Sequence, residues 1–103
     1  MSMRQITRDN FAQTVDSALA QCRLELERAL AEGGNSPLIN DLRLAATALE
    51  LIQSEMRGPQ ERPKSERSEM FTRYVVDEEP GMVMDPELRD RIVQIESFYS
   101  RWL

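Results

Sequence analysis

The sequence predicts an all-α fold: an antiparallel helical hairpin plus a C-terminal helix, forming a small three-helix bundle in one domain, residues 1–103. Three observations carry this. Apolar residues recur in steps of three and four along three stretches, each stretch begins at a recognisable N-cap, and glycine or proline closes the first two.

The first helix is expected over about 7–33. Thr7 is a candidate N-cap whose hydroxyl accepts from the amide of Asn10, and Ile6 and Phe11 fall at the two positions of a hydrophobic staple. Asp9 sits in the first turn, where the helix dipole favours an acid. The apolar seam runs Ala12, Val15, Leu19, Cys22, Leu26, Ala29, widened by Phe11, Ala18 and Leu30. Gly33 and Gly34 supply a left-handed C-cap.

The second helix is expected over about 36–57, opened by Ser36 as N-cap and Pro37 at the first helical position, where a missing N–H costs nothing. Its seam is Leu38, Leu42, Ala45, Leu49, Ile52, Met56, and Gly58 with Pro59 stops it. The short connection forces the two helices antiparallel. Leu44, Ala48 and Leu51 lie beside the main seam, while Ile39 and Ala46 fall on the far flank, so this helix has more apolar surface than one neighbour covers. The third helix can take one side. A second copy of the chain is the expected cover for Leu44, Ala48 and Leu51, which makes a homodimer the expected state.

Residues 57–69, RGPQERPKSERSE, mix both charge signs with two prolines and read as a solvated linker. Residues 70–84, MFTRYVVDEEPGMVM, follow as a docking segment, with 70–76 either a short strand or a single helical turn. The last helix, about 85–102, opens with Asp85 as cap and Pro86 behind it. Leu88, Ile92, Ile95, Tyr99 and Trp102 form its seam, flanked by Val93 and Phe98.

Hydrophobic residues make up 41% and charged residues 30% of the chain, a globular composition. No run approaches the roughly 20 apolar residues that span a bilayer, and MSMRQITRDN lacks the apolar core of a signal peptide. A cytoplasmic protein with no membrane role is expected. The net charge is −5, and residues 77–90 carry all of it: six acids against Arg89 alone. This patch repels a nucleic-acid backbone, and Glu61, Glu66 and Glu69 offset Arg57, Arg62, Lys64 and Arg67, so no nucleic acid is expected as partner. A plain solvated acidic loop is the alternative reading of the run.

With no histidine, the usual proton shuttle, histidine-dependent zinc sites and histidine-activated nucleophiles are absent. Cys22, the single cysteine, lies on an apolar seam and reads as a small buried side chain. The glycine pair ends a helix and lacks the pattern of a phosphate-binding loop. Glu25, Glu27, Asp41, Glu50 and Glu55 read as solvent-facing, and the acids near Glu78 fit no calcium loop. Neither catalytic residues nor a metal or other cofactor is expected.

The function expected is therefore that of a non-catalytic, self-associating interaction or adaptor protein. Phe71, Tyr74, Met82 and Met84 would be its apolar anchors, and Asp77, Glu78 and Glu79 would steer a protein partner or pair with its basic groups. An acidic inhibitor, immunity protein or secretion chaperone masking a basic partner is the first alternative. A carboxylate-based enzyme or metal binder is the alternative of another class, and it requires buried acids converging on a cleft.

Overall fold

The computed structural model describes residues 5–33, 36–57, 71–72 and 84–101. Three helices make the bundle: α1, Phe11–Ala31; α2, Ser36–Arg57; and α3, Pro86–Arg101. Among the described residues there is no strand, and no helix is long and apolar enough to cross a membrane.

The start of α1 is built by a reciprocal pair of bonds. The Asn10 N–H donates to the Thr7 hydroxyl at 3.3 Å, and the Thr7 N–H donates to the Asn10 side-chain oxygen at 2.8 Å. This is the logic of a capping box with asparagine in the acid's place. It holds a turn over residues 8–10, and the regular helix begins at Phe11 rather than at the expected position near 7. Ile6 packs half-buried against the core beside it. At the other end Gly33 adopts φ +77°, the left-handed conformation expected there, and its N–H donates to the Leu30 carbonyl.

α1 and α2 pack as the antiparallel hairpin, and α3 lies across both. Its direction follows from its contacts. Leu88 and Arg91, early in α3, share a groove with Ser17 and Gln21 of α1, whereas the rings of Phe98 and Tyr99 stack near Phe11 at 5.3 and 6.1 Å. Hence α3 runs antiparallel to α1. It runs parallel to α2, because the Tyr99 hydroxyl donates to Glu55 near the ends of both helices.

The core draws on all three helices, with Val15, Leu19 and Cys22 meeting Leu42, Leu49, Ile52, Ile92 and Ile95. Adding α3 to one side of the hairpin shifts α1's buried arc. Thr14 and Ala18 go under, while Ala12 is exposed and Leu30 is 50% exposed. Ala12 and Leu30 are about five helical turns apart on one line, so one displacement of the buried face explains both departures from the expected seam. The Gln53 amide reaches Asp16 at 2.5 Å, and Arg23 meets Glu50 at 3.7 Å, on the hairpin's solvated side.

The second flank of α2 also departs from expectation. Ala48 is buried within the chain's own bundle, Leu44 is half-buried, and Leu51 alone stays well exposed at 40%. Asp41, expected in solvent, is buried, and Glu55 is half-buried. Asp41, Ala48 and Glu55 are spaced by seven, two helical turns, so they share one line along α2. Glu55 meets α3 on that line. The flank expected to face a second copy is thus partly consumed in cis. Of the expected linker only Arg57, the last residue of α2, is described.

Candidate partner-binding site

Residues described on each side of 73–83 are held in the fold. On the C-terminal side Met84 is buried, and the Asp85 carbonyl accepts the Arg89 N–H at 2.9 Å, starting α3 as a cap residue should. Asp85, Glu87 and Asp90 then face solvent, with Asp90 bonded to the Arg89 guanidinium at 3.2 Å. Acids at a helix start are favoured by the positive end of the dipole, which helps three carboxylates share so small a surface.

On the N-terminal side Phe71 and Thr72 are held by Glu96. This residue is 1% exposed. One carboxylate oxygen accepts the Phe71 N–H at 2.9 Å; the other accepts the Thr72 N–H at 2.6 Å and the Thr72 hydroxyl at 2.8 Å. Phe71 and Thr72 are helical, and two successive helical N–H groups that donate outside the helix are those of a first turn. A carboxylate from α3 therefore caps this turn across the fold. Burying a charged carboxylate is costly unless donors meet it, and here three do. Of the two conformations expected for 70–76, the helical turn is the one found at its two described residues.

Phe71 is fully buried and Met84 nearly so. Both were expected as outward anchors for a partner. They are core residues instead, since a phenyl ring and a thioether beside an apolar core gain more by burial than by waiting for a ligand. Tyr74, Asp77, Glu78, Glu79 and Met82 lie outside the described residues. Among the self-association residues, Ala48 is core and only Leu44 and Leu51 reach the surface.

Glu96 and Asp41 escaped the sequence reading, although a signal existed for each. Glu96 sits at i+4 from Ile92 and i−3 from Tyr99, on the shoulder of an apolar seam, and Asp41 sits at i−4 from Ala45. An acid in such a place is either misplaced or satisfied. Among the described residues no buried side-chain nitrogen or oxygen lacks a hydrogen-bond partner.

Two buried acids call for the enzyme alternative to be tested. Both Glu96 oxygens are occupied by backbone and hydroxyl donors. Two hollows among the described residues are a groove of about 210 Å³ between α1 and α3, lined chiefly by Gln13, Thr14, Ser17, Gln21, Leu88 and Arg91, and a neighbour of about 180 Å³ that adds Glu87. Neither includes Asp41 or Glu96. Among the described residues no three acid or cysteine side chains gather as a metal site. The Cys22 thiol is fully buried, and burial, helped by the Glu25 carboxylate, pushes its pKa up to about 12, far from that of a reactive thiolate. Comparison with known protein families, characterised proteins and solved structures finds no match.

Proposed function

We propose that this chain is a non-catalytic protein-binding module whose acidic stretch, residues 77–90, recognises a basic protein surface. One observation carries the reading. Phe71 and Thr72, held on Glu96, and buried Met84 are fixed points on either side of Asp77, Glu78 and Glu79 in the sequence, and beyond Met84 the described acids Asp85, Glu87 and Asp90 point to solvent. Charge concentrated between two fixed points loses less freedom on binding than charge on an unanchored tail. In this reading Phe71 and Met84 hold the stretch in place, and Asp77, Glu78 and Glu79, with Tyr74 and Met82, contact the partner.

Self-association through α2 has less to stand on. With Ala48 in the core, Leu44 and Leu51 make a patch well below the roughly 1,000 Å² that a specific interface needs.

The test is to use the intact chain and its Asp77→Ser, Glu78→Ser, Glu79→Ser triple variant as baits for partner capture at low and high salt. Helical circular dichroism should stay unchanged and capture should fall at least about tenfold, with most of its salt dependence gone. Equal capture by both baits, with equal salt dependence, sinks the proposal.

A further inference from the structure

Glu87 and Arg91 stand one helical turn apart on one face of α3, with the acid on the N-terminal side, the order in which such a pair most readily closes on itself. Among the described residues the two form no ion pair with each other. Both instead line the hollow of about 180 Å³ against α1, together with Gln21 and Leu88. Arg91, Gln21 and Leu88 also line the groove of about 210 Å³, so the two spaces share these three side chains.

The chemistry of the lining is mixed in a definite way. Glu87 and Arg91 supply one charge of each sign. The Gln21 side-chain amide donates to Glu25 at 3.1 Å, which turns its carbonyl oxygen into the group left to accept. In the larger groove Ser17 adds a hydroxyl that both donates and accepts, while Ala18 and Leu88 are buried and form an apolar floor.

We propose that the joined hollows bind a free α-amino acid with a small side chain. Its ammonium group would meet Glu87 and the Gln21 carbonyl, its carboxylate would meet Arg91, and its side chain would lie over Ala18 and Leu88. Each hollow is smaller than the roughly 300 Å³ at which pockets for drug-sized ligands begin, so the occupant is small. A lone anion is repelled by the net charge of −5, and a lone cation leaves the guanidinium facing it. A zwitterion answers both charges at once. Arg91 has further contacts in the fold, and its five N–H donors allow it to keep them while holding a carboxylate. Glu87 is exposed and Arg91 half-buried, so water screens both ions and binding is weak and rapidly reversible. The inference stands apart from the protein-partner reading, since it draws on α1 and α3 alone and needs no residue between 73 and 83.

The test titrates the intact, isotope-labelled chain with L-alanine and follows the backbone amide resonances. Shifts should level off as ligand is added and be largest at Ser17, Gln21, Leu88 and Arg91. Propionate and ethylammonium, which carry one charge each, should bind at least about tenfold more weakly. Substitution separates the two charges. Glu87→Gln should weaken L-alanine about tenfold and leave propionate as it was, whereas Arg91→Gln should weaken both. Arg91→Lys keeps the charge but not the two-pronged contact, and should fall between the parent and Arg91→Gln. Shifts that rise without levelling, shifts scattered over the chain, or variants that bind L-alanine as the parent does overturn the proposal. Tighter binding of trialanine, whose charges are many bonds further apart, would assign the site to peptide ends and overturn it as well.

Discussion

Cys22 is fully buried between α1 and the rest of the core, and the cost of ionising it there raises its pKa from the ordinary value near 9 to about 12. The sign of the consequence is fixed. Between those two values the folded chain holds a proton on the thiol that the unfolded chain has released, so stability falls as pH rises from about 9 toward 12 and is unaffected by this group below about 9. Urea midpoints measured across that range should decline for the native chain and decline less for Cys22→Ala. At about pH 8 a thiol reagent should label Cys22 only as fast as the chain opens. Equal pH slopes for both chains would show that the thiol is not sequestered. Cys22 was legible from its place on the seam. Asp41 and Glu96 were not, because residue type argues for solvent and only the register argues for burial. What reversed the outcome for Glu96 was a donor group distant in sequence, the Phe71–Thr72 turn, which no local pattern announces.

Among the elements, the ends were more legible than the faces. Gly33 takes the left-handed conformation its type predicts, Asp85 precedes α3 where it was expected, and Thr7 makes the expected bond with Asn10, although that bond closes a turn ahead of α1, which starts at Phe11 and leaves Asp9 outside its first turn. The faces depend on which neighbours arrive, and α1 turned its buried arc toward Thr14 and away from Ala12 and Leu30 once α3 settled on that side. Gly33 isolates the local term. A Cβ placed there would meet no atom within 4 Å, so the Gly33→Ala substitution costs only the left-handed backbone conformation. That cost is about 1 kcal/mol, equivalent to a fall of roughly 4–8 °C in midpoint for a domain of this size. Gly33→Asn should cost clearly less, since asparagine tolerates this conformation. Equal losses for the two variants would mean that something other than backbone conformation is lost.

At the scale of the molecule, α3 does more than cover the hairpin. Its last turn sits where α1 begins and α2 ends, through Phe11, Phe98, Tyr99 and Glu55. Its middle supplies Ile92 and Ile95 to the same core that holds Leu19 and Leu49. A hairpin of two helices buries one stripe of each, too little for a chain of this size to overcome its conformational entropy. The third helix supplies the remainder, so all three should open together. Native-state hydrogen exchange checks this at the amides of Leu19, Leu49 and Ile92, one near the middle of each helix. The three should reach the same limiting free energy of opening, and Tyr99→Ala should lower all three by similar amounts, about 3–5 kcal/mol if truncation acts as it does in other cores. If Ile92 exchanges far faster than Leu19 and Leu49, α3 leaves while the hairpin stays folded, and the hairpin's stability then has a source other than this shared core.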